Sequence, residues 1–229
     1  MLRLRRSNLK LKSLKTRKLL VFDLDFTLVS VNTSYCYLKA LYRKRVLSLP
    51  LLLKGFFIRL GYYVTPMSLE RLHHLVFDTM LKGFSLAVLE QHADALLKEI
   101  LPKYLYQPAY QELKAGQERG DCTVLFSSSP DFLVSRFAAY FGVDFWESTV
   151  YDIDKEQKLC KIAKLVVGTE KERYLLELQK KLEIPKDRVV VYSDSHDDLP
   201  LLMQAGEAVA VNPDRKLAKI AKQQNWRVI

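Results

Sequence analysis

The hydrophobic and polar positions of the chain fall into two rhythms. Apolar runs at Leu19–Phe22, Cys122–Phe126, Val189–Tyr192 and Ala208–Val211 are too short for helices and read as buried strands. Before, between and beyond the last three lie stretches with helical spacing. These are Pro108–Arg119 closed by Gly120, Phe132–Phe141, Thr169–Leu182 capped by Thr169, Leu199–Ala205 closed by Gly206, and Asp214–Gln224. Val150–Ile162 alternates around Asp154–Lys158 and predicts a hairpin. Strands alternating with helices predict an α/β chain built on a parallel sheet.

One long segment breaks the alternation. Most of Tyr35–Glu99 reads as helices, with breaks near Pro50, Gly61–Pro66 and Gly83–Ser85. Its most apolar part, Val46–Val64, would span about 28 Å as a helix, close to a bilayer core. Its eleven Leu, Ile, Val and Phe residues would gain about 3–7 kcal/mol on insertion, but central Lys54 and Arg59 would cost about 5–7 kcal/mol. A simple crossing is therefore not expected. Two alternatives stay open: helices that cover the core, and helices that also rest on a membrane surface. Lys54 and Arg59 fall about 140° apart on a helical wheel, which leaves no clean amphipathic face to choose between them.

The polar residues that end the strands carry the chemistry. In an extended chain Asp23, Asp25 and Thr27 point to one side and Phe22, Leu24 and Phe26 to the other. Two carboxylates aimed at one volume call for a divalent cation or a shared proton; taken alone, such a pair also suits a solvated turn or a helix cap. Two further strands end in polar clusters, Ser127-Ser128-Ser129 and Asp194-Ser195-His196-Asp197-Asp198. Chemistry in parallel α/β sheets sits beyond the carboxyl ends of the strands, so the three clusters should meet. Hydroxyls beside four or more carboxylates suit a hard cation and an anionic substrate. Ser128 and Ser129 also suit the cap of the following helix. An EF-hand starting at Asp23 fails at Leu28 and Ser34, and the eight scattered glycines form no phosphate loop.

Composition and charge narrow the partners. The 229 residues are 49% hydrophobic and 27% charged, a globular balance with room for one domain plus an insertion. Of the net +10, residues 1–69 hold +12, from fourteen Lys/Arg against Asp23 and Asp25, so the rest sums to −2. Residues 1–17 read as a basic arm without an acid. An anionic membrane surface is one partner this balance suits. Nucleic acid is not expected, since no basic patch is interleaved with aromatics. Three scattered cysteines and the lack of a signal-peptide pattern point to a reducing, cytoplasmic setting, with a peripheral place at the inner membrane face as an extension of it.

The order of these clusters resembles the haloacid dehalogenase superfamily, subclass IB, in its phosphoserine phosphatase-like branch. Asp23-Leu-Asp25-Phe-Thr27 is similar to its first motif, Ser127 to the second, Lys171 in Gly168-Thr-Glu-Lys171 to the third, and Asp194-x-x-x-Asp198 to the fourth. The basic, leucine-rich insertion and Tyr-Ser-Asp-Ser-x-x-Asp look most like the C-type phosphatidylglycerophosphate phosphatases. The resemblance implies a Rossmann-like, doubly wound parallel sheet core at 18–30 and 106–229, with a helical C1-type cap at 31–105. It also implies a phosphomonoester hydrolase working through an aspartyl-phosphate. Asp23 would be the nucleophile and Asp25 the acid/base. Mg²⁺ would be held by Asp23, Asp25, Asp194 and Asp198, and the phosphoryl group by Ser127, Lys171, Thr27 and Ser128. The substrate would be a lipid phosphate such as phosphatidylglycerophosphate or a small soluble ester such as phosphoserine. The alternative is a basic nucleic-acid- or membrane-binding protein with a vestigial site. Phe26 stands where the family usually has Gly or Ser, and Ser193 where Gly often precedes the fourth-motif aspartate. Phe26 is expected to face away from the catalytic pair.

Overall fold

The computed structural model describes residues 17–229 and the strand β1 (Arg3–Leu4). Apart from β1, the basic arm expected at 1–17 lies almost wholly outside the described residues. At the centre of the sheet is β2 (Leu19–Asp23), every residue of it buried. On either side, β3 (Cys122–Pro130) and β6 (Val189–Ser193) pair with it in parallel, setting Phe22 opposite Leu125 and Tyr192. β4 (Phe145–Ile153) continues beyond β3, and β7 (Glu207–Ala210) and β8 (Arg227–Val228) beyond β6, all parallel. β1 and β5 (Leu159–Lys164) lie antiparallel on β4, giving the order β1-β4-β3-β2-β6-β7-β8 with β5 off β4.

Both faces of the sheet are covered, which is why its strands read as continuous apolar runs. Leu20, Phe22, Leu125, Val190 and Tyr192 belong to one core; Leu19, Val21, Val124, Phe126, Val189 and Val191 belong to the other. The rings of Phe22 and Tyr192 stack across adjacent strands at 4.3 Å. The first core also packs α5 (Gln107–Arg119) and α6 (Asp131–Phe141); the second packs α7 (Thr169–Leu182), α8 (Leu199–Met203) and α9 (Arg215–Gln223).

Between β2 and β3 the chain leaves the sheet as α1 (Thr33–Arg43), α2 (Leu49–Val64), α3 (Leu69–Val76), a π-helical turn at Phe77–Leu81, and α4 (Leu86–Tyr104). The outgoing and returning segments run side by side. Ser30 N–H donates to the Tyr104 carbonyl at 2.8 Å and Tyr106 N–H to the Leu28 carbonyl at 3.0 Å. The helical segment also grips the β4–β5 hairpin, where Gly83 N–H donates to Leu159 O, Leu159 N–H to Phe84 O and Leu86 N–H to Gln157 O at 2.8–3.1 Å.

Local details depart from the sequence expectations. The break expected near Pro50 is there, between α1 and α2, and Pro50 itself sits in the first turn of α2, where its missing N–H costs nothing. The cap residue of α7 is Gly168, not Thr169. β4 begins at Phe145, ahead of the expected hairpin; Glu147 interrupts the apolar run and hides this start in the sequence, and the buried carboxylate takes its charge partner from Lys164. Among the described residues no helix is long and apolar enough to cross a membrane. The outer side of α2 is nevertheless apolar: Leu49, Leu53, Phe56, Phe57, Leu60 and Val64 are all exposed.

Candidate active site

The strand ends meet as their register dictates, since Asp23 pairs with Phe126 and Phe22 with Tyr192. Beyond Asp23 the strand alternation stops. The Leu24 carbonyl accepts the N–H groups of Thr27, Leu28 and Val29 at 3.0–3.3 Å, curling the chain into a single turn. Phe26 adopts a left-handed φ of 60°, and the residue lines the cavity with Asp23 and Asp25. Thr27, expected beside the two aspartates, is buried behind the cavity wall and donates to Asp194 Oδ1 at 3.4 Å.

One cation organises the acidic residues. Lys171 Nζ donates to Asp23 Oδ1 at 2.6 Å and to Asp198 Oδ2 at 2.8 Å, and all three side chains are buried. Ser193 Oγ donates to the same Asp198 oxygen at 2.7 Å. The residue that departs from the expected Gly thus steadies a carboxylate. Lys171 reaches this place from the first turn of α7 because Gly168 turns the chain at φ 49°, ψ −118°, a conformation open to glycine and costly for other residues.

Asp25 is held separately. It accepts from Thr33 N–H at 2.5 Å and from Ser129 Oγ at 2.7 Å. With that proton committed, Ser34 donates to Ser129 Oγ at 2.8 Å. Ser129 therefore serves the carboxylate and not the following helix, whose cap position is Pro130 without a side-chain bond. Ser127 is buried and accepts Ser129 N–H at 3.1 Å, and its neighbour Ser128 lines the cavity. Thr33, Ser129 and Ser193 were the partners the sequence hid, since a hydroxyl near a strand end reads as a cap until its carboxylate is located.

Charge is badly balanced here. Burial pushes the Asp23 carboxyl up to about 7, with Lys171 opposing and Asp198 and Asp25 adding to the rise. Burial, then Asp23 and Asp198, push Asp194 up to about 9. Burial also raises Asp25, against the bonds from Thr33 and Ser129. For Lys171, burial is outweighed by Asp198 and Asp23, and the ammonium is held firmly protonated. One ammonium stands among four carboxylates, and the deficit is what a hard divalent cation would fill. Among the described residues no three acidic, histidine or cysteine side chains are gathered as a ready metal cluster. Mg²⁺ needs no such cluster, since it binds through one or two carboxylates and keeps several waters. The oxygens of Asp23 and Asp194 and the carbonyl of Asp25 fit that chemistry.

Asp23, Asp25, Asp194, Asp198, Lys171 and Ser128 line one cavity of about 880 Å³. The helical segment contributes Arg59, Tyr62 and Met67 to its lining, and Tyr62 Oη donates to Asp197, another lining residue, at 3.2 Å. His196 also lines the cavity, while its N–H donates to Asp214. A second chamber of about 160 Å³ shares Asn32, Arg59, Leu69, Leu72 and Ser128 with the first and runs into the helices between Leu38, Leu52, Val76 and Met80.

A parallel α/β sheet with an acidic, lysine-bridged site at its strand ends and a helical insertion after the first core strand defines a class of hydrolase. The chain belongs to the haloacid dehalogenase-like hydrolase family, whose profile matches residues 20–203. Its fold is that of the phosphoserine phosphatase-like branch. A substrate-bound phosphoserine phosphatase superposes with a TM-score of 0.72 at 18% identity, over 93% of this chain and 92% of that one. A Bordetella pertussis Tohama I protein of unknown function superposes with a TM-score of 0.82 at 21% identity, over 93% and 98%. In sequence, the chain is 26% identical over 236 residues to histidinol-phosphatase of Neisseria meningitidis serogroup C, covering 93% of this chain and 98% of that protein.

Proposed function

We propose that the protein is a Mg²⁺-dependent phosphomonoesterase working through an aspartyl-phosphate, with residues 31–105 as its cap. The observation that carries this reading is the separation of two buried carboxylates by their partners, Asp23 on Lys171 and Asp25 on Ser129 and Thr33. Asp23 attacks phosphorus, and the bond to the ester oxygen breaks. Asp25, its carboxyl raised by burial, gives its proton to the departing alcohol. It then takes a proton from the water that attacks the same phosphorus and frees Asp23. Lys171 and Ser128 supply positive and hydroxyl contacts to the phosphoryl oxygens, and the Ser127 hydroxyl, already accepting from Ser129 N–H, has its proton to add. When bound by Asp23, Asp194 and the Asp25 carbonyl, with Asp198 in support, Mg²⁺ supplies charge against the developing anion. So complete a site disfavours a vestigial scaffold on a nucleic-acid-binding protein.

The second chamber bears on the substrate. Its lining holds no Asp or Glu, and burial first, then Lys171 and His74, lower His73 to about 4, leaving it uncharged near neutrality. An ammonium there would go unpaired, which favours a phosphoester with an apolar leaving group, a lipid phosphate among them, over phosphoserine. Turnover of an aryl phosphate, an alkyl phosphate and phosphoserine, with and without Mg²⁺, tests both parts. Mg²⁺-dependent turnover that survives Asp23→Asn would remove the catalytic reading; phosphoserine outrunning the apolar esters in kcat/KM would remove the substrate reading alone.

A further inference from the structure

A helix on the surface of a soluble protein ordinarily turns its polar side outward. α2 does the reverse, with Leu49, Leu53, Phe56, Phe57, Leu60 and Val64 outward, Phe57 at 63% and Val64 at 74% exposure. At the helical pitch these six positions fill an arc of about 100°, and Lys54 and Arg59 fall about 60° beyond its two edges. The two cations that looked scattered in the sequence thus flank one apolar stripe. Exposed Lys44 and Arg45 stand at the turn before the helix, and no acidic residue lies between Phe26 and Leu69.

We propose that this face seats the protein on an anionic lipid bilayer. α2 lies in the plane of the interface, with the stripe at the acyl boundary and Lys44, Arg45 and Lys54 on the lipid phosphates. The charge pattern selects this occupant. A second copy docked on the same stripe would bring two sets of cations together without a carboxylate from the segment to separate them. An anionic membrane takes both the apolar stripe and its cationic flanks. The other side of the same helix carries Arg59 and Tyr62 into the catalytic cavity, so the bound protein would hold its site beside the lipid headgroups. The inference does not depend on the catalytic reading.

The test is flotation of the full chain with vesicles of phosphatidylcholine containing about one third phosphatidylserine, against phosphatidylcholine alone. Binding to the anionic vesicles only is expected. Phe57→Glu combined with Leu53→Glu should reduce the bound fraction at least tenfold, and Lys44→Glu with Lys54→Glu should remove the preference for anionic lipid. In each variant the melting temperature and the hydrolysis of a soluble aryl phosphate should stay at the parent value. Equal flotation of parent and Phe57→Glu/Leu53→Glu chains would overturn the proposal by assigning binding to the basic arm. So would absence of flotation in low salt, or a lipid-free dimer that these two substitutions dissolve.

Discussion

The ammonium of Lys171 lies 2.6 Å from Asp23 Oδ1, with both side chains buried. Removing one member of such a pair leaves a charge stranded in low dielectric, which costs more than the pair contributes. Lys171→Met should therefore destabilise the fold by about 3–5 kcal/mol in the absence of divalent cations. Urea unfolding measures this; a loss below 1 kcal/mol would contradict the charge balance described for the site.

Asp23→Asn separates chemistry from stability. The amide oxygen still accepts from Lys171, and one buried negative charge is gone. Stability should hold or rise, while kcat falls by about 10⁴-fold or more through loss of the nucleophile. Thermal melts and steady-state kinetics on one preparation report both.

The response to Mg²⁺ should depend on pH with a definite sign. Asp23 is raised to about 7 and Asp194 to about 9, both above an ordinary carboxyl. Without a cation, what these groups add to stability is present at low pH and is lost as pH climbs through those values. A bound cation displaces their protons. The rise in melting temperature produced by Mg²⁺ should therefore grow from pH 6 to pH 9, and an increment that shrinks over this range would refute the expectation.

Phe26 adopts φ 60°. Phe26→Ala and Phe26→Gly remove the same ring, but only Ala keeps the Cβ that strains this conformation, a difference of about 1 kcal/mol. The Gly variant should be the more stable of the two in denaturant titrations, despite the greater freedom of its unfolded chain.

Ser129 positions Asp25 from the wall of the second chamber, outside the lining of the catalytic cavity. Ser129→Ala deletes a bond to a charged group, and kcat should fall about 10- to 100-fold with little change in KM. A pH–rate profile displaced along with kcat would separate this effect from a general loosening of the fold.

Much of the site could be read in the sequence because strand ends announce themselves. Asp23 and Asp194 follow apolar runs with no other use for a carboxylate, and Lys171 follows a glycine at a helix start. The partners of these groups were hidden, since Ser129 and Thr33 sit 104 and 8 residues from Asp25 and neither spacing is periodic. Thr27 was misplaced and the left-handed backbone at Phe26 missed because pleat alternation holds only while the strand lasts, and the Leu24 carbonyl ends it. The outward stripe of α2 could not be found either. A wheel shows which residues share a side of a helix, but which side meets the core depends on neighbours such as Met80, whose sulfur occupies the place a Cβ on Gly55 would take.

The three backbone bonds between 83–86 and the β4–β5 hairpin leave the helical insertion fastened at both ends. Breaking them to let it swing away would cost about 3 kcal/mol, which leaves under about 1% of molecules ajar. Substrate and product then exchange with the helices in place, past a cavity lining in which the Tyr62 phenol holds the Asp197 carboxylate.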